Sequence, residues 1–235
     1  MNSVLTVTRK EMRQLIGSRA TLFTGIGMAI FFGVMYSLRI GQEGGLPIEA
    51  SLGSLLFFLT TTLGVFMGYT FTGQVFLREK MDGVIETLLC SPATLREVWL
   101  GKTLAVTALA DVLAVACALI TALVAGYRNG AVTLPPAAIV VHVFLVVPMV
   151  IGCFVGALGY AQLLLGMKEN RIIGLALFIP VFAALYGLGY AGTGTFVASW
   201  LQVGLLGSAA VVVLSVLVLL SQKLSKERIV TTLPD

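Results

Sequence analysis

Charge is what this sequence has least of: Asp, Glu, Lys and Arg together make up 11% of its 235 residues, while 58% are hydrophobic. Soluble domains carry roughly 25% charged residues, so a water-facing surface cannot be assembled from this composition. The solvent of the folded chain is lipid, and the mean hydropathy of +1.01 agrees. Cysteine is also scarce. Cys90, Cys117 and Cys153 stand far apart with no C-x-x-C and no Cys/His grouping, so neither a metal site nor a disulfide framework is indicated. Positions 1–19 lack the short apolar core and small-residue cleavage site of a signal peptide, and the N-terminus reads as retained. No long polar stretch separates the apolar runs on one side, which excludes a large external domain.

Six stretches reach the roughly 20 apolar residues that a spanning helix needs: 20–38, 52–76, 104–125, 137–165, 172–190 and 200–220. Helices are the expected form, because irregular backbone in hydrocarbon leaves amides unpaired and the runs lack the two-residue alternation of a membrane barrel. The last external connection, 191–199 (AGTGTFVAS), is so small that the fifth and sixth spans could form a shallow re-entrant hairpin.

Positive charge sets the orientation. Of the 15 Lys and Arg residues, only Arg39 and Arg128 fall in the alternate loops; the rest lie in 1–19, 78–102, 167–171 and after Leu220. The positive-inside rule puts these segments and both termini in the cytoplasm. It also accounts for the pI near 9.1 without nucleic acid. Before the first span, helical spacing puts Val4, Leu5, Met12, Leu15 and Ile16 on one face and Arg9, Lys10 and Arg13 on another, an amphipathic helix suited to the surface of a lipid bilayer.

The longest internal segment, 78–102, reads REKMDGVIETLLCSPATLREVWLGK. Arg78 to Leu89 can form a short helix, weakened at Gly83 and ended by Ser91-Pro92. Thr94 with Glu97 three residues later is a capping box that starts a second helix into the third span. Gly101-Lys102-Thr103 matches the tail of a phosphate-binding loop, but the required earlier glycine is Arg96 and no strand precedes it, so no ATPase is expected in this chain.

This segment resembles the permease subunits of type-2 ABC transporters, mostly exporters. Their loop between spans two and three follows E-[KR]-x-x-G-[TV]-x-E-x-L-L-x-[ST]-P-x-[ST]-x-x-E-[LIV]-x-L-G-K. The chain matches it at Glu79, Lys80, Gly83, Val84, Glu86, Leu88, Leu89, Ser91, Pro92, Thr94, Glu97, Val98, Leu100, Gly101 and Lys102. Asp82 stands where many members have a basic residue, and Val84 where threonine is commoner. The resemblance implies an all-α membrane protein with six transmembrane helices, an N-terminal interfacial helix, and a cytoplasmic coupling helix. It further implies two copies of a separate ABC ATPase subunit, which would bind ATP and magnesium, and a second permease copy or a similar permease. No cofactor is expected in the chain itself. Contact with the ATPase would fall to Glu79, Lys80, Asp82, Gly83, Glu86, Leu88 and Leu89, with Lys168 and Glu169 as a smaller second contact. Glu79 and Glu86 read as solvent-facing in the lone subunit.

Two ionisable residues lie inside apolar spans, where such groups are functional candidates. Asp111 is nine residues beyond Lys102, about 13.5 Å deeper at 1.5 Å per residue, and His142 lies towards the other end of its span. They could line a polar translocation path together with Gln162. The structural alternative is that Asp111 bonds Gln162 on a neighbouring helix while His142 points to the interface. An ATP-independent carrier or channel would instead call for inverted repeats or paired intramembrane charges, and an intramembrane enzyme for a nucleophile and base at one depth. Neither pattern is found. The transported substrate is not legible.

Overall fold

The computed structural model of the chain describes residues 3–38, 40, 48–81, 94–130, 134–165, 167–190 and 198–222; the side chains of 167, 168, 171 and 185–190 lie outside the description. Every regular element among the described residues is a helix. Helix α1 is Ser3–Gly17, α2 is Arg19–Ser37, and α3 is Ile48–Met81. They are followed by α4, Leu95–Asn129, α5, Ala137–Leu164, α6, Met167–Tyr190, and α7, Trp200–Ser221. Five of these, α2, α3, α4, α5 and α7, are long and apolar enough to cross a membrane. The expected fifth span, 172–190, falls in α6, whose described apolar stretch, Ile172–Ala184, is shorter than the other five.

The helix ends follow local chemistry. Thr94 Oγ1 accepts from the Glu97 amide at 3.3 Å while Glu97 Oε2 accepts from the Thr94 amide at 2.8 Å, the reciprocal cap that the sequence predicts. Gly130 ends α4 in the left-handed conformation, at φ 66°. Ser199 and Gln202 cap α7 in the same reciprocal way. Two helices widen into a π turn, α3 at Gly73–Leu77 and α5 at His142–Val146. The second lies directly before Pro148, which lacks a backbone donor and crowds the carbonyl one turn back, so the extra residue absorbs the break.

Two expectations change here. Residues 78–81 are the last turn of α3, continuous with the span, and not the start of a separate helix; the rest of the expected coupling helix lies outside the described residues. On α1 the packed face carries Val4, Val7, Thr8, Glu11 and Leu15, whereas Leu5 and Ile16 are exposed. An acid displaces two apolar residues from that face because a buried lysine waits for it.

Helix α4 is the hub, packed against α1, α2, α3 and α5; α7 lies on α5, and α6 on α3 and α5. Met67, Phe71, Val106, Leu109, Leu113 and Ile151 form the centre of the main core. Where lipid supplies no hydrophobic drive, helices gain contact through small residues. Gly64 and Gly68 of α3 receive Ile151 and Val155 of α5, and Gly156 of α5 receives Trp99 and Leu217.

Candidate functional site

The densest polar cluster lies where α1, the last turn of α3 and the first turns of α4 meet. Lys102 is two turns into α4 and only 2% exposed. A buried ammonium needs carboxylates, and two helices supply them. Lys102 Nζ donates to Glu79 Oε2 at 2.6 Å and to Glu11 Oε1 at 3.2 Å, and also to the Val75 carbonyl, in the widened turn of α3, at 3.0 Å. Phe76 offers its ring at 5.6 Å. At the rim, Lys10 Nζ lies 3.2 Å from Glu11 Oε1 and 3.3 Å from Glu79 Oε1. Two cations and two carboxylates thus balance. Partial burial works against the Lys10 charge, but the carboxylates of Glu11 and Glu79 outweigh it and raise the ammonium above its ordinary range.

The backbone brings these groups together because α1 approaches α4 closely at Gly101. A Cβ there would stand 2.7 Å from Val7 Cβ and 3.0 Å from the Val4 carbonyl oxygen. Thr8 Oγ1 donates to the Gly101 carbonyl at 3.1 Å, and Ser3 Oγ to Glu97 Oε1 at 2.7 Å. Trp99 Nε1 donates to the Gly156 carbonyl at 3.1 Å, tying α4 to α5 at the same level.

Neighbouring residues on the last turn of α3 point to different helices. Glu79 turns to α1 and α4, whereas Lys80, with no exposed surface, donates from Nζ to the Leu165 carbonyl at the end of α5, at 2.6 Å. Asn170 Nδ2 of α6 donates to the same carbonyl and to that of Gln162, both at 3.2 Å, and the exposed Glu169 carboxylate acts electrostatically on Lys80.

Both Glu79 and Lys80 are therefore buried in the subunit, which corrects the expectation of a solvent-facing Glu79: its carboxylate is held inwards by Lys102. Asp82, Gly83, Glu86, Leu88 and Leu89 lie outside the described residues, as does the side chain of Lys168. Asp111 Oδ1 and Gln162 Oε1 are buried without hydrogen-bond partners, and no hydrogen bond joins the two residues among those described. His142 does not point to the interface. It is fully buried, stacked on Phe57 with ring centroids 4.1 Å apart. Its Nε2 lies 2.9 Å from Thr61 Oγ1 and 3.2 Å from the Phe57 carbonyl. A carbonyl only accepts, so Nε2 carries the proton by this geometry and Nδ1 is left without a partner. Asp111, His142 and Gln162 form no shared cluster.

The sequence reading does not single out Glu11 or Asn170, and it takes Lys102 only as a motif position and as part of GKT. Their signals were a lysine within an apolar helix, which demands a partner, and an acid on the otherwise apolar stripe of α1. Lys102 in particular is saturated by bonds inside a helix, an arrangement unlike a phosphate-binding loop.

Residues 2–168 match the ABC-2 type transporter family, a stretch that begins before α1 and includes the whole ion cluster. The chain belongs to the ABC-2 type transporter family. Permeases of this family are membrane components that pair with an ABC ATPase subunit. No curated protein matches the chain. In this ABC-2 permease the buried ions stand at the end of α3 that leads directly into 82–93, the heart of the sequence motif.

Proposed function

We propose that this ABC-2 permease is the transmembrane subunit of an ATP-driven exporter in the cytoplasmic membrane, with both termini inside and six crossings. Two permease subunits enclose the path, and two ATPase subunits sit below. ATP closes the ATPase dimer, segment 82–93 receives the movement, and the cavity between permeases changes its opening. The observation that carries this reading is the Lys102 cluster. It fastens the last turn of α3, and hence the start of 82–93, to α1 and α4 through short ionic contacts, so a force on the loop reaches three helices at once. The bias of positive residues towards the α1 end supports the orientation. An ATP-independent carrier is less well supported, since Asp111 and His142 have no ionic partners among the described residues.

The test is charge reversal in the loop. Glu79 is unsuitable because a lysine there would face Lys102, so Glu86 is the residue to change. Glu86→Lys sets a like charge against any basic group of the ATPase, a penalty on the order of several kcal/mol. Normal insertion with loss of ATPase co-purification and of transport is expected. Full transport by Glu86→Lys would overturn the coupling assignment.

A further inference from the structure

Two internal connections would face the ATPase under the reading above, 82–93 and, as the family resemblance implies, the smaller one at Lys168 and Glu169. The described residues contain a physical link between them. Lys80 is the next-to-last residue of α3, one residue short of the first connection, and its ammonium reaches across to the carbonyl of Leu165, the residue that caps α5, at 2.6 Å. That carbonyl is also held at 3.2 Å by Asn170, in the first turn of α6, so one oxygen gathers three helices. Lys80 has no exposed surface and Asn170 is 2% exposed, so water does not compete freely for these bonds and each is worth more than at a surface. The terminal carbonyls of a helix need such donors, but a neutral amide already serves. A buried lysine is a costly choice for a cap alone, and Glu169, at the second connection, attracts its charge without cancelling that cost.

We infer that Lys80 is a positioning residue that binds the α3 exit to the α5–α6 turn, so that the two ATPase-facing connections move as one body. Glu79, beside it, ties the same turn of α3 to α1 and α4. Movement of 82–93 therefore divides at this turn into an arm towards α1 and α4 and an arm towards α5 and α6. The inference rests on the ATPase-coupling reading for what drives the movement.

The experiment uses the full chain in nanodiscs with its ATPase subunit, spin-labelled singly at position 86 or 168 and paired with a label on α2 at the exposed Phe23. Distances are recorded with and without Mg-ATP and vanadate. In the unmodified complex both labels shift on nucleotide trapping. Lys80→Met keeps length and burial, and Asn170 still caps Leu165; the population shifted at 168 should fall roughly tenfold, the loss expected for one charge-assisted hydrogen bond. The shift at 86 should persist. Lys80→Arg, which retains a donor, should restore the shift at 168. Asn170→Ala leaves Lys80 in place and should weaken the response at 168 in the same direction, giving a second reading if Lys80→Met is poorly folded. An unaltered, correlated response at 86 and 168 in Lys80→Met or Asn170→Ala would overturn the inference. Absence of any nucleotide-dependent shift in the unmodified complex would overturn the coupling reading itself, a distinguishable failure.

Discussion

Lys102 Nζ and Glu79 Oε2 lie 2.6 Å apart although 23 residues separate them in the chain. Their bond ties together, inside the bundle, the two helices that flank segment 82–93. Glu11 joins from α1 at 3.2 Å, so the N-terminal helix is part of the same lock.

Removing the central cation should be severe. Lys102→Met leaves Glu11 and Glu79 buried without their principal partner, a loss of about 3–5 kcal/mol by the usual cost of orphaning a buried charge. Thermal unfolding in detergent would register it. Adding Glu11→Gln and Glu79→Gln should recover much of the loss, because the triple variant buries no unpaired charge. Lys102→Ala should leave nucleotide binding by the assembled complex unchanged, since this lysine serves the fold and not a phosphate.

The approach of α1 depends on Gly101. In Gly101→Val the added carbons meet Val7 Cβ at 2.7 Å and a backbone oxygen at 3.0 Å, neither of which is the yielding end of a side chain. Helix α1 should be displaced, which breaks the Glu11–Lys102 contact. A probe on Leu5→Cys, which is exposed, should report greater mobility of α1, while α3–α5 packing at Gly64 and Gly68 stays intact.

Alkaline pH should loosen α1 in one defined direction. The Lys10 ammonium is raised above the ordinary value of 10.5 in the fold, so its contribution is complete below that value and is lost as pH climbs through the raised one. The anisotropy of the same probe at position 5 should be constant across the neutral range and fall only in strong alkali. Lys10→Gln should abolish that transition, and a transition near neutrality would contradict the assignment.

Much of this was legible from residues alone. Lipid as solvent followed from scarce charge, and the Thr94–Glu97 cap from its spacing. The family followed from the 79–102 motif. Partner choice was less legible, because it depends on which helices the packing brings side by side. Glu79 looked exposed since it follows an apolar run and neighbours other charges, yet the unbroken extension of α3 turns it inwards. His142 looked interfacial by its depth, but the widened turn before Pro148 directs it to Thr61. Lys102 was discounted with the GKT it belongs to, although a lysine within an apolar helix is itself a request for a carboxylate.

Sidedness can be checked in the intact membrane. Single cysteines at 1, 90, 168 and 235 should be labelled only from the cytoplasmic side, and those at 45, 130 and 194 only from outside. Labelling of position 168 from outside would reject six crossings with an internal α5–α6 turn.

The central claim is that this permease works through a motor on another chain. The most direct measurement is to purify the tagged full chain from native membranes under mild detergent, identify what remains bound, and assay ATP hydrolysis before and after stripping that partner. The account predicts that an ABC ATPase subunit co-purifies, that hydrolysis leaves with it, and that the stripped permease neither hydrolyses ATP nor transports. Hydrolysis retained by the stripped chain, or transport in vesicles containing that chain alone, would contradict it.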